Sequence, residues 1–180
     1  MKIIKFTDKN FYSKLSKNLD RRDSYIDNNI KKDVSNIIQN VKKYGDDALV
    51  KYAKKFDKIS LEKDKIKLNN NYLNKNNILD KKILNSFKLA IKNIKKFHKK
   101  QIPNDIFQND NNFKLRSRWR SIDSVGLYIP GGNAFYPSSL IMNVVPAKIA
   151  GVKRIVCVTP PTKDLNPYFL ALLKELDIKE

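Results

Sequence analysis

The chain is 180 residues long, with 37 lysines and arginines against 18 aspartates and glutamates, a formal charge of +19 and one cysteine. That length buries a core without disulfides or a structural metal, and the lone thiol, Cys157, excludes an intrachain disulfide and fits a reducing compartment. No segment approaches the roughly 18 apolar residues of a membrane span, and Met1-Lys-Ile-Ile-Lys-Phe-Thr-Asp8 has no signal-peptide core, so a cytoplasmic protein without a membrane partner is expected.

In the first half the apolar residues fall at helical spacing. From Ile30, the residues Val34, Ile37, Ile38, Val41 and Tyr44 form one stripe, which predicts an amphipathic helix ending at Gly45. Asp46 is expected to cap a second helix whose inner side is Leu49, Tyr52, Ala53 and Phe56. Residues 57–78, with Asn69-Asn70-Asn71 and Asn76-Asn77, predict a loop holding at most a short helix or strand. Asp80 opens a long helix with Ile83, Leu84, Phe87, Ile91, Ile94 and Phe97 inward, ending by Pro103 at the latest.

Composition changes near residue 113, where lysine thins and β-branched residues, glycine and proline take over. Phe113 to Arg120 alternates as a strand would, and Val125-Gly-Leu-Tyr-Ile129 reads as a short buried strand broken by Pro130-Gly131-Gly132. A helix follows from about Pro137 to Ala150, with proline suited to its first turn, Gly151 to its stop, and Pro146 expected to kink it. The run Arg154-Ile-Val-Cys-Val158 is a second buried strand with Cys157 as a small apolar side chain, and Pro167 opens another helix through Leu176. Strand, turn, helix, glycine and strand in this order make a βαβ unit with parallel strands. The expected fold class is therefore α/β. A mainly helical segment (1–112) precedes the start of a Rossmann-like parallel domain (113–180), which is incomplete within these residues.

Two functional readings compete on the residues alone. The charge favours a non-enzymatic basic module that binds nucleic acid or acts as a scaffold. Against it, the lysines are spread over the first hundred residues, arginine is sparse, and the one arginine cluster (Arg116, Arg118 and Arg120 around Trp119) has the alternation of a solvated strand face. The other reading starts from the open parallel sheet, whose ligands sit beyond the carboxyl ends of the strands. Here that is the loop from Tyr128 to Ser139, where glycines admit a ligand to the backbone and the next helix start favours an anion.

The same residues carry a family resemblance. Ser124-Val-Gly-Leu-Tyr-Ile-Pro-Gly-Gly132, then Tyr136-Pro-Ser-Ser139, Met142-Asn143, Pro146-Ala-Lys-Ile-Ala-Gly-Val152 and Val158-Thr-Pro-Pro161 resemble histidinol dehydrogenase in an almost continuous match. Tyr44-Gly-Asp-Asp-Ala-Leu49, Tyr52 to Phe56-Asp57, Asn93-Ile94, Phe97-His98 and Gln101-Ile-Pro103 agree with it. Arg118-Trp-Arg-Ser-Ile-Asp123 departs from it, since that segment usually carries a proline. The resemblance implies an NAD- and zinc-dependent homodimer that oxidises L-histidinol to L-histidine in two hydride transfers. It implies that Tyr128 contacts NAD and that Pro130, Gly131 and Gly132 shape the same wall. It also implies that the zinc ligands and the acid–base Glu–His pair lie beyond residue 180, so that no catalytic or metal residue is expected within this chain. His98, the only histidine, then reads as a helix-end residue.

Overall fold

A computed structural model describes residues 3–23, 28–68, 79–131, 135–162 and 164–180, with the backbone alone for 20–23. The expected Asn69–Asn71 and Asn76–Asn77 loop and Gly132 lie outside the described residues. The chain divides into two compact units, residues 1–51 and 52–180.

The first unit is helical, with α1 at Phe11–Asp23, α2 at Asn28–Tyr44 and most of α3 at Asp46–Tyr52. Phe6, Phe11 and Tyr12 meet edge-on, with ring centroids 5.1–6.4 Å apart. Helix α2 forms as its periodicity predicts, but its stripe is only partly covered: Ile37 and Val41 are partly buried, Val34, Ile38 and Tyr44 are each about half exposed, and no described α2 residue is fully buried. Gly45, at φ +54°, ends α2, and its carbonyl also accepts from the amides of Ala48 and Leu49. It thus caps both helices, and Asp46, expected as the cap, is instead the first helical residue. Its charge and that of Asp47 still favour the helix start through the dipole.

In the second unit, α3 passes at Ala53–Asp57 into a π-turn. The wider turn rotates the following positions off the helical stripe. Ala53 is buried as expected, whereas Phe56 is exposed and stacks on Tyr52 at 5.7 Å. Leu49, also expected inward, is exposed, and Ala48 is buried instead. One short 3-10 turn at Lys63–Lys65 interrupts the described part of the loop that follows.

The long helix α4 (Lys81–His98) is capped by Asp80, whose carboxylate accepts from the Lys82 amide at 2.7 Å, and tightens into a 3-10 turn at Lys99–Gln101 before Pro103. Its inner face is Phe87, Ile91 and Ile94; Ile83 and Phe97, at the ends of that stripe, are exposed. A hairpin then joins β1 (Ile106–Asn109) to β2 (Lys114–Ser117), antiparallel, with every residue exposed. Strand β1 has no counterpart among the expected elements, and β2 is half the length of the expected Phe113–Arg120 strand. Asp105 holds the far end, accepting from the Trp119 amide at 3.0 Å and lying 3.6 Å from Arg116.

The βαβ unit follows the sequence reading closely. Strands β3 (Ser124–Tyr128) and β4 (Arg154–Val158) pair in parallel, Ser124 opposite Arg154 through Tyr128 opposite Val158, and α5 (Pro137–Ala150) crosses between them. Gly151 stops α5 in the left-handed region at φ +88°, and α5 runs through Pro146. Helix α6 (Pro167–Glu175) starts at Asn166, whose side chain caps the Tyr168 amide. Leu140, Val144, Val145 and Leu172 are fully enclosed, and Val125, Leu127 and Cys157 pack on this core from the sheet. The opposite sheet face, with Ser124, Tyr128, Arg154 and Val158, is exposed. The two strands were expected to be buried; a βαβ unit places its helices on one side of the sheet, so only alternate side chains are covered.

The backbone beyond α6 returns to the sheet, where the Glu180 carbonyl accepts from the Cys157 amide at 2.8 Å. The Glu180 carboxylate is held in a two-pronged contact by Arg154 at 2.8 and 2.9 Å, with Lys67 at 3.1 Å. Hydrogen bonds from Arg154 and then Lys67 lower its pKa from the usual value to about 2. A lowered carboxylate pKa stabilises the fold above the unfolded-state value, and that contribution fades as pH falls from there through the folded value. Because the pair is solvated, its worth is modest. Glu180→Gln is therefore expected to lower the urea midpoint at neutral pH by a small amount. The gap from the unsubstituted chain should close on acidification from about pH 4.5 towards pH 2. A gap that widened with acid would contradict the linkage.

Candidate functional site

The carboxyl ends of β3 and β4 lie side by side, and the segments leaving them form the candidate site. Alternation along β3 decides what each residue does there. Leu127 faces the core, Tyr128 turns to the open face at 65% exposure, and Ile129 is buried at 1%, its amide donating to the Val158 carbonyl at 2.7 Å. The loop that follows is pinned again at Phe135, which meets Phe87 and Phe169 edge-on at 6.2 and 6.1 Å. The buried Ile129 and the partly buried Phe135 are thus the two anchors here, and Tyr128 and Tyr136 are large side chains left exposed beside them.

Gly131 is the close-approach point. A Cβ built there would lie 3.1 Å from both Thr159 Oγ1 and Pro160 Cδ, tighter than ordinary van der Waals contact. The segments after β3 and β4 consequently touch backbone to side chain, making one wall from Tyr128, Pro130, Gly131, Val158, Thr159 and Pro160. Helix α5 begins beside it with Pro137 in its first turn and no side-chain cap from Tyr136. Its first-turn amides therefore donate no hydrogen bond to that side chain, an arrangement that favours an anionic group.

Of the residues expected at the site, Tyr128, Pro130 and Gly131 are brought together, and Gly132 lies outside the described residues. Thr159 and Pro160 were read from sequence as part of the family match, without a place at the site. Their part in the wall depends on a contact 28 or 29 residues distant in the chain, and no local pattern signals it.

The remaining chemistry-bearing groups stand apart. His98 lies at the end of α4 with Nδ1 2.6 Å from Gln101 Oε1. Cys157 is half-buried, and burial pushes its thiol up to about 11, so it is protonated and unreactive near neutral pH. Among the described residues no three histidine, cysteine, aspartate or glutamate side chains gather as a metal ion would require. These residues do not fit a zinc site.

The parallel βαβ unit places the chain among α/β proteins, a class whose open sheets take ligands at the carboxyl edge. Residues 20–180 match the family described as histidinol dehydrogenase, and the chain belongs to that family. It is 40% identical over 150 residues to a histidinol dehydrogenase of Agrobacterium fabrum, covering 82% of this chain and 35% of the relative. Against that of Listeria innocua it is 44% identical over 144 residues, covering 79% and 34%. The crystal structure of histidinol dehydrogenase from Elizabethkingia anophelis superposes with a TM-score of 0.76 at 30% identity, covering 83% of this chain and 35% of that one. The chain spans about a third of the length of the relatives it matches. Among the described residues, no helix is long and apolar enough to cross a membrane.

Proposed function

We propose that this chain supplies part of the NAD-binding wall of a cytoplasmic, homodimeric histidinol dehydrogenase. In this reading residues 1–112 form the helical part of the first domain and residues 113–180 open the nucleotide-binding domain. The whole enzyme is an oxidoreductase of histidine biosynthesis that converts L-histidinol through the aldehyde to L-histidine. The observation that carries the reading is Tyr128, exposed at the carboxyl end of β3 in the family's Tyr-Ile-Pro-Gly-Gly segment, with Gly131 seated on Thr159 and Pro160.

NAD bound there would supply the hydride acceptor. The chain's own contribution is binding and orientation. The Tyr128 ring offers a flat apolar face with a polar tip, Gly131 leaves the backbone approachable, and the start of α5 favours the anionic diphosphate. Zinc enters through the family alone, and no step is assigned to it.

Tyr128→Ala is expected to weaken NAD binding to the 180-residue chain about tenfold, the loss of roughly 1.4 kcal/mol of ring contact. Tyr128→Phe should retain most of the affinity. Ligand-observed NMR titration with NAD reads both. Equal affinity for Tyr128→Ala and the unsubstituted chain would remove Tyr128 from the cofactor site.

A further inference from the structure

The +19 charge is diffuse along the sequence, but folding concentrates part of it. Between Lys81 and Asn104 there are eight lysines and no acidic residue. Five of them, Lys88, Lys92, Lys95, Lys96 and Lys99, line an open groove beside α6, with Ile91 on its floor and Glu175 at one end. Their spacing of four, three, one and three residues puts them on one face of α4 and its 3-10 extension, over roughly 16 Å of helix axis. Among the described residues Glu175 pairs with Lys88, at 3.9 Å.

Such a row is costly to the free protein, because like charges three and four residues apart on a helix repel. The groove walls focus the field they share. What would satisfy it is set by what lines it. Lysine is a compact point charge suited to phosphate, and among the described residues the groove lining has neither arginine forks to read base edges nor aromatic rings on which bases could stack. A ligand recognised by repeated charge alone fits it.

We propose that the α4–α6 groove binds a linear inorganic polyphosphate. The site shares no residue with the wall around Tyr128, so it stands or falls independently of the cofactor reading.

The test titrates the 180-residue chain at physiological salt with medium-chain inorganic polyphosphate, with monophosphate and with a single-stranded oligonucleotide of matched charge. Polyphosphate should bind saturably and ahead of the other two. The triple variant Lys92→Gln, Lys95→Gln, Lys96→Gln should weaken it about tenfold or more and flatten its salt dependence. Removing the same charge elsewhere, with Lys5→Gln, Lys31→Gln, Lys42→Gln, should change it by less than about twofold. Replacing Lys92, Lys95 and Lys96 by arginine should preserve binding, and Glu175→Gln should tighten it. Glutamine is a good helix former, and circular dichroism checks that α4 survives. Equal weakening by the two glutamine triples would reduce the effect to bulk charge. Tighter oligonucleotide binding would reassign the groove to nucleic acid. Either result, or the absence of saturable binding, overturns the proposal.

Discussion

Mixed with NAD, zinc and L-histidinol, the 180-residue chain is expected to produce no NADH above the rate without protein. Enzymes of this kind accelerate reactions by roughly a million-fold or more, and the effect requires an acid–base group within hydrogen-bond reach of the proton it moves. The one histidine is His98, at the far end of α4 beside Gln101. A catalytic zinc needs about three protein ligands in a fixed arrangement, and no such trio is assembled among the described residues. Cys157, with its thiol pushed up to about 11, offers no neutral-pH nucleophile in their place. In the proposed reading the zinc ligands and the Glu–His pair lie outside the segment matched here. A relative spanning the full family length serves as the positive control. NADH formation that scaled with the 180-residue chain and survived repurification would overturn the assignment of all chemistry to residues outside it.

The second large effect concerns the core beneath the wall. Leu172→Ala should destabilise the chain by about 3 kcal/mol, the transfer cost of the lost side chain plus the cavity it leaves. Leu172 is wholly inaccessible, in a cluster with Leu140, Val144, Phe169 and Ile91, so its neighbours have little freedom to collapse into the space. Against a total stability of roughly 5–15 kcal/mol, that is enough to shift the urea midpoint well clear of error. Ile106→Ala on the hairpin, 64% exposed, should cost under about 0.5 kcal/mol. Similar midpoints for the two variants would mean that α6 is not packed as described.

How far the fold could be read in advance depended on whether local chemistry or distant contact sets each element. The βαβ unit was legible because its punctuation is local: Pro137 and Gly151 mark the ends of α5, and Pro167 opens α6. The hairpin was missed because β1, Ile-Phe-Gln-Asn, lacks strict alternation and buries neither face. Its far end is held by Asp105, which reaches Trp119 fourteen residues on. The helical stripes of the first half were found, yet periodicity identifies an apolar face without saying that anything covers it, and Val34 and Ile38 remain half exposed. At Phe56 the error came from one extra residue in a turn, which the composition of Ala53–Asp57 does not announce. At the candidate site, Tyr128 was legible through its motif, and its outward direction follows from strand alternation. Thr159 and Pro160 were not, because only the closed crossover brings them to Gly131.

The bond between the Cys157 amide and the Glu180 carbonyl bears on how this sheet can grow. In a parallel pair, alternate residues turn their backbone groups to opposite sides. Arg154 and Val158 spend theirs on the β3 side and Cys157 on the other, so β4 is engaged along both flanks. Strand β3 is different: Asp123 and Ile129 turn towards β4, which leaves the amides of Ser124, Gly126 and Tyr128 pointing outward. A strand added there would template on those three amides and run directly past the Tyr128 ring. Sheet extension on that flank and occupancy of the candidate cofactor wall would then compete for, or cooperate through, the same few ångströms of backbone.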